Sequence, residues 1–144
     1  MQHFADACAE IGHALQERNL RMPSLQPVEH FVQLVEAGRG IEAIERFYAP
    51  DVAVRENHGP ARVGREALLA SETAARAAVS DPRARCVRPL LVADDVVVIR
   101  WVFDYVDRQG RAVHFEELAY QRWRGDRIEE EQFFYDPAQF RARA

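Results

Sequence analysis

The sequence has no lysine, only two cysteines, and no apolar run approaching the length a membrane-crossing helix needs. Each shortage removes a class of protein. Cys8 and Cys86 stand outside any CxxC or Cys/His array, which argues against a zinc site. Two cysteines do not build a disulfide framework, and 144 residues can bury a core without one. The opening Met1-Gln2-His3-Phe4-Ala5-Asp6 has neither a basic start nor an apolar stretch. It does not read as a signal peptide, and a cytoplasmic location is expected. A glycine-rich phosphate loop and an ordered Ser-His-Asp set are missing too. Positive charge is in the minority, 19 arginines against 23 acids, for a net charge of −4 with histidines neutral. Phosphate binding wants a concentrated basic surface, so nucleic acid is not an expected partner, and neither is a membrane.

What is present is a chain of single-domain length, 48% hydrophobic, patterned in two halves. The first half reads as helix. Phe4, Cys8, Ile11 and Leu15 recur at helical spacing, which predicts an amphipathic helix over roughly residues 2–19. The prolines of Met22-Pro23-Ser24-Leu25-Gln26-Pro27 interrupt it. Phe31, Val32 and Val35 share one face of a second helix ending near Gly38. Ile41, Ile44, Phe47 and Tyr48 mark a third, which Pro50 is expected to stop. Asp51-Val52-Ala53-Val54-Arg55-Glu56-Asn57 alternates as a strand does, and His58-Gly59-Pro60 ends it. A fourth helix is expected from about Arg65 to Val79, closed by Asp81-Pro82.

The second half reads as a meander, with strands near Arg83–Val92, Val96–Val106, Arg111–Trp123 and Arg127–Tyr135. Asp94-Asp95, Asp107–Gly110 and Gly125-Asp126 supply its turns. Helices first and antiparallel sheet last indicate an α+β domain. Val96–Val106 is apolar on both alternating faces, whereas a sheet with one wet face should alternate. Helices can cover one side and a second copy of the sheet the other, so a homodimer is expected.

Two polar side chains fall inside an apolar row. Glu117 and Gln121 share a strand face with Phe115, Ala119 and Trp123. A carboxylate and an amide so placed must find partners or meet a ligand. The loop at Asp107–Gly110 decides what faces them. A three-residue loop with a left-handed Gly110 sets Trp101 opposite Glu117 and Asp104 opposite His114; a two-residue loop sets Arg100 opposite Glu117. Glycine at the loop's end favours the former, which puts Trp101 and Phe103 inside with Glu117. His114-Phe115-Glu116 has the spacing of two ligands on one strand face, too common alone to claim a metal, and no cofactor is expected.

The order helix, helix, strand, helix, long meander resembles the nuclear transport factor 2-like superfamily, most closely its SnoaL-like and ketosteroid-isomerase-like branches. The resemblance rests on Phe47-Tyr48-Ala49-Pro50-Asp51-Val52, Arg62-Val63-Gly64-Arg65-Glu66-Ala67, Arg122-Trp123-Arg124-Gly125-Asp126-Arg127-Ile128 and Phe134-Tyr135-Asp136-Pro137. It covers about residues 28–138 as one domain and leaves about residues 1–21 as an extra N-terminal helix. It implies a cone-shaped α+β roll, its N-terminal helices packed on a curved, mainly antiparallel sheet, holding a small and largely apolar molecule. Glu56 falls at the place of the isomerases' general base, at the cone mouth, where desolvation raises a carboxyl's pKa and suits proton abstraction. His58 lies beside it, and the resemblance turns Glu131, Phe133 and Tyr135 inward. The isomerases' two oxyanion donors fall at Phe31 and Ala119, which have no donor side chain, so steroid isomerisation is not expected.

The expected site is therefore Glu56 and Glu117 as proton-transfer groups, with His58, Trp101, Phe103, Gln121, Glu131, Phe133 and Tyr135 around a ligand the sequence does not name. Its chemistry would be isomerisation, dehydration or ring closure. The alternative is a non-catalytic ligand-binding or dimerisation module, since one fold hosts many functions.

Overall fold

The computed structural model describes His13, Gln16 and residues 23–140. The N-terminal helix expected from the sequence lies outside the described residues apart from those first two. Within residues 23–140 three helices, α1 (Leu25–Glu36), α2 (Gly40–Phe47) and α3 (Arg65–Ala77), combine with six strands. The strands are β1 (Tyr48–Glu56), β2 (Arg62–Val63), β3 (Ser80–Ala93), β4 (Val96–Val106), β5 (Ala112–Arg124) and β6 (Arg127–Phe134), followed by a 3-10 turn at Pro137–Phe140. They form one sheet in the order β2-β1-β6-β5-β4-β3. Every pairing is antiparallel except that of β1 with β6. This is the α+β roll the sequence pattern implies, helices against one face of a mostly antiparallel sheet.

Side-chain spacing explains the helices. Val28, Phe31 and Val32 stand at i, i+3 and i+4 of α1 and are buried with Leu34. Each such side chain stabilises the fold by roughly 1.5–3 kcal/mol when fully removed from water. Gly38, at φ +75°, turns the chain between α1 and α2; its N–H reaches the Val35 carbonyl at 3.0 Å and that of Arg39 reaches Leu34 at 2.8 Å. α2 buries Ala43, Ile44 and Phe47. α3 differs in kind. It buries no residue, and only Leu68 and Leu69 come partly against the core. It spans an open space.

The sheet's inner face is the core. Val97, Ile99, Trp101, Ala119, Trp123 and Ile128 are all shielded from solvent. Their register is set at the β4–β5 turn, where the Asp107 N–H bonds the Arg111 carbonyl at 2.9 Å and Gly110 takes φ +75°. Trp101 consequently faces Glu117, and Asp104 faces His114. The Asp107 carboxylate also accepts the N–H groups of Arg111 and Gln109, each at 2.9 Å, which holds its pKa below the ordinary value. On the outer face Val102 is buried between its cross-strand neighbours Arg85 and Glu116, while Val96, Val98 and Val106 are half-buried. Leu118, Tyr120 and Phe134 stand exposed beside them.

Three boundaries differ from the sequence reading. Pro50 does not stop a helix: α2 ends at Phe47, and β1 begins at Tyr48 rather than Asp51. Pro50 sits where pairing with β6 shifts register between Tyr48 and Ala53, so its missing N–H costs no ladder bond. Asp81-Pro82 lies inside β3 instead of closing α3, again at a register shift, with Asp81 at φ 48°. The two-residue β2 and the 3-10 turn are too short to leave a periodic signal.

Candidate functional site

Because α3 does not pack down, a cavity of about 440 Å³ remains between it, α1 and the inner face of the sheet. That is the size of a small-molecule pocket. Phe31, Trp101, Phe103, Phe115 and Phe133 supply its aromatic lining. The Phe103 and Phe115 rings stack at 4.9 Å, Trp101 tilts against Phe103 at 6.0 Å, and Phe31 meets Trp101 edge-on at 6.5 Å. Such interlocked rings make a stiff wall.

Glu56, Glu117 and Glu131 reach this space from the sheet, each held differently. Glu117 arrives from β5, directly opposite Trp101. Among the described residues its carboxyl takes part in no hydrogen bond or ion pair. Burial, and then the nearby charges of Glu131 and Glu56, push its pKa up to about 8. Near neutral pH it is a protonated acid, a donor.

Glu131 is 3% exposed and fully bonded. The Tyr48 hydroxyl donates to its Oε2 at 2.5 Å, and Gln121 Nε2 donates to its Oε1 at 2.7 Å. The Trp123 indole N–H donates in turn to Gln121 Oε1 at 3.0 Å, fixing which way the amide points. Burial raises Glu131 to about 7, and the two hydrogen bonds oppose the rise. Tyr48 is raised well above the ordinary phenol value by its own burial and by the Glu131 charge. The parallel β1–β6 pairing brings these two residues together from positions 83 apart in the chain.

Glu56 ends β1 at the mouth and is exposed. Its Oε2 accepts from the Tyr135 hydroxyl at 3.3 Å and its Oε1 from Arg62 at 3.4 Å; Arg62 also donates to Ser71 at 2.6 Å. Asn57, at φ 47°, makes the corner after it, donating its N–H to the Phe133 carbonyl at 2.7 Å and accepting the Tyr135 N–H at 3.0 Å. Phe140 from the 3-10 turn lies 5.1 Å from Phe115 and 5.6 Å from Tyr135, finishing the rim. At the other end of the cavity, burial raises Glu72 of α3 while Arg76 opposes it.

Of the residues singled out in the sequence, Glu56, Trp101, Phe103, Glu117, Glu131 and Phe133 line the cavity. Gln121 lies behind the wall and orients Glu131. Tyr135 touches the site through Glu56 at the mouth. His58 is not in the lining; it is exposed, with its ring 6.2 Å from that of Phe134. Tyr48 is the site residue the sequence reading left in a helix. Its hydroxyl is explained only by Glu131, and no local pattern links the two. Among the described residues no three His, Cys, Asp or Glu side chains group as metal ligands.

Comparison with known proteins places this geometry. Solved structures similar to the chain include a SnoaL-like polyketide cyclase candidate from Mesorhizobium loti, 25% identical over 76% of this chain and 97% of that one, with a TM-score of 0.66. A polyketide cyclase candidate from Streptomyces antibioticus is 20% identical over 79% of this chain and 92% of that one, also at 0.66. An NTF2-like protein of unknown function from Burkholderia pseudomallei shares the fold at a TM-score of 0.69 with 14% identity, over 80% of this chain and 92% of that one. No curated protein matches. The SnoaL-like domain family itself matches residues 28–131, from the first turn of α1 to Glu131 in the cavity wall. With most of its helices, meander and cavity lining inside that span, the chain belongs to the SnoaL-like branch of the nuclear transport factor 2-like superfamily.

Proposed function

We propose that the cavity binds a small, largely apolar molecule and that Glu117 transfers a proton on it without a cofactor, in an isomerisation, dehydration or ring closure. One observation carries this reading: an unpartnered carboxyl in an aromatic cavity, held protonated near neutral pH. A neutral acid of this kind can donate to a carbonyl oxygen as negative charge develops there. It supplies the hydrogen bond that Phe31 and Ala119 cannot. Glu56, at the mouth between Tyr135 and Arg62, is the complementary carboxylate that would take a proton from the carbon beside that carbonyl. Glu131 is committed to Tyr48 and Gln121, and its part is to hold the floor and repel charge from Glu117. The likeness to polyketide cyclase candidates supports testing ring closure of a keto-bearing chain first.

The direct test is deuterium exchange α to the carbonyl of small aryl ketones, followed by NMR in heavy water. The wild-type protein should speed exchange above buffer, and Glu117→Gln should slow it on the order of 10²–10⁴-fold while unfolding stays cooperative. Exchange at the buffer rate, or an unaffected variant, refutes catalysis.

A second reading has its own observation. Leu118, Tyr120 and Phe134 are 45%, 39% and 38% exposed on the sheet face turned away from the cavity, beside the half-buried valines of β4. That face suits a self-complementary contact, and a homodimer joined there is the assembly we assign to the chain.

A further inference from the structure

We infer that the cavity's ligand is an amine: a protonated or quaternary ammonium group on an apolar body, its head seated at Glu117 beside Trp101, Phe103 and Phe115. The inference rests on the reading that this cavity binds a small molecule; it names the class, and while the ammonium is seated Glu117 is its carboxylate partner rather than the proton donor.

Negative charge is left over in the cavity lining. Carboxyls converge on the cavity from three strands, Glu56 on β1, Glu117 on β5 and Glu131 on β6. Every arginine that lines it is already paired, Arg62 with Glu56 and Arg76 with Glu72 inside the lining and Arg83 with Asp81 outside it. Among the described residues no guanidinium is paired with Glu117 or Glu131. The remaining titratable groups around the space are Asp104 of β4, bonded to His114, Tyr105 beside it, Tyr48 of β1, bonded to Glu131, and Tyr135 at the mouth, bonded to Glu56. None of them brings positive charge into the lining. A neutral ligand leaves Glu117 to carry its proton as the cost of burial. A cation turns the same group into half of an ion pair.

The lining agrees with the charge. Aromatic rings around a desolvated site attract a cation through their quadrupoles, and their hydrocarbon surface suits the methyl or methylene groups an amine carries. At about 440 Å³ the cavity has room for an apolar body beyond the head group.

Phenyltrimethylammonium and tert-butylbenzene test this on the full chain, because they share a shape and differ by one fixed charge. Binding can be followed through tryptophan fluorescence, since Trp101 lines the cavity. Above about pH 8 the cation should bind at least about tenfold tighter than the hydrocarbon. Its own charge never titrates, so any pH dependence belongs to the protein. Below about pH 8 binding must expel the Glu117 proton, and affinity should fall by up to about tenfold per pH unit. Glu117→Gln should sharply reduce both the preference and the slope, leaving only what Glu131, raised to about 7, supplies, yet still bind tert-butylbenzene, which shows that the variant is folded. Equal or tighter binding of tert-butylbenzene by the wild-type protein overturns the amine inference and leaves the apolar-ligand reading standing. Binding of neither overturns both. A cation preference that survives unchanged in Glu117→Gln also overturns the inference, because the charge is then being read elsewhere.

Discussion

Glu117→Gln should make the protein more stable, and the gain should grow with pH. The Glu117 carboxyl has a pKa of about 8 in the fold, against an ordinary value of 4.5. Between those values the native chain keeps a proton that the unfolded chain releases. Stability therefore falls as pH rises through this window, by up to about 1.4 kcal/mol per unit. At pH 7 the gap of about 2.5 units sets a ceiling of roughly 3 kcal/mol. The carboxyl is only half-buried and faces a cavity open to water, so about 1–2 kcal/mol is the reasoned figure. Glutamine fills nearly the same volume and does not titrate. Urea unfolding of both proteins at pH 5, 6, 7 and 8 isolates the effect, because the acids away from the cavity contribute equally to each. The difference should be near zero at pH 5, about 1–2 kcal/mol at pH 7, and larger at pH 8. A variant less stable than wild type at pH 7, or a difference flat with pH, refutes the assignment of a raised pKa to this residue.

Further expectations concern the supports of the site. Tyr48→Phe removes the 2.5 Å bond to a buried carboxyl and should cost about 1–3 kcal/mol in urea unfolding; unchanged stability would show that the bond contributes nothing. Gly110→Ala places a side chain at φ +75° where no atom lies within 4 Å, so only backbone strain of about 1–2 kcal/mol should appear, with cavity binding intact. Loss of binding would show that the turn controls more than stability. Leu118→Arg on the outer face should convert a dimer to a monomer by light scattering, and a wild-type monomer at 16.5 kDa would end the dimer proposal.

The hairpin register was legible in the sequence because it is a local problem. Gly110 at the end of Asp107–Gly110 selects a three-residue loop, and from that choice Trp101 must face Glu117. Parity then carries Gln121 inward with it. The roles of those two residues were not legible. Glu117 meets a cavity and Gln121 meets Glu131, a difference set by β6 rather than by anything on β5. Tyr48 was hidden for the same reason, since its partner is 83 residues away. Pro50 misled because proline is a helix stop only when a helix reaches it; here it marks a register shift inside a strand. His58 drew interest as a histidine near Glu56, but the corner at Asn57 carries it away from the lining.

The parallel seam between β1 and β6 also fixes the order in which the molecule can be completed. While the chain is being synthesised, β1 emerges early with β2 as its sole antiparallel neighbour, and its other edge waits for a strand that starts at Arg127. Through that interval Val52 and Val54 flank an unpaired edge, the kind of surface that recruits wrong partners. Glu131 likewise has no Tyr48 to meet until the last strand docks. The site is thus completed by the last strand, and a chain halted just before β6 would carry the helices and β3 to β5 yet have no floor to its pocket.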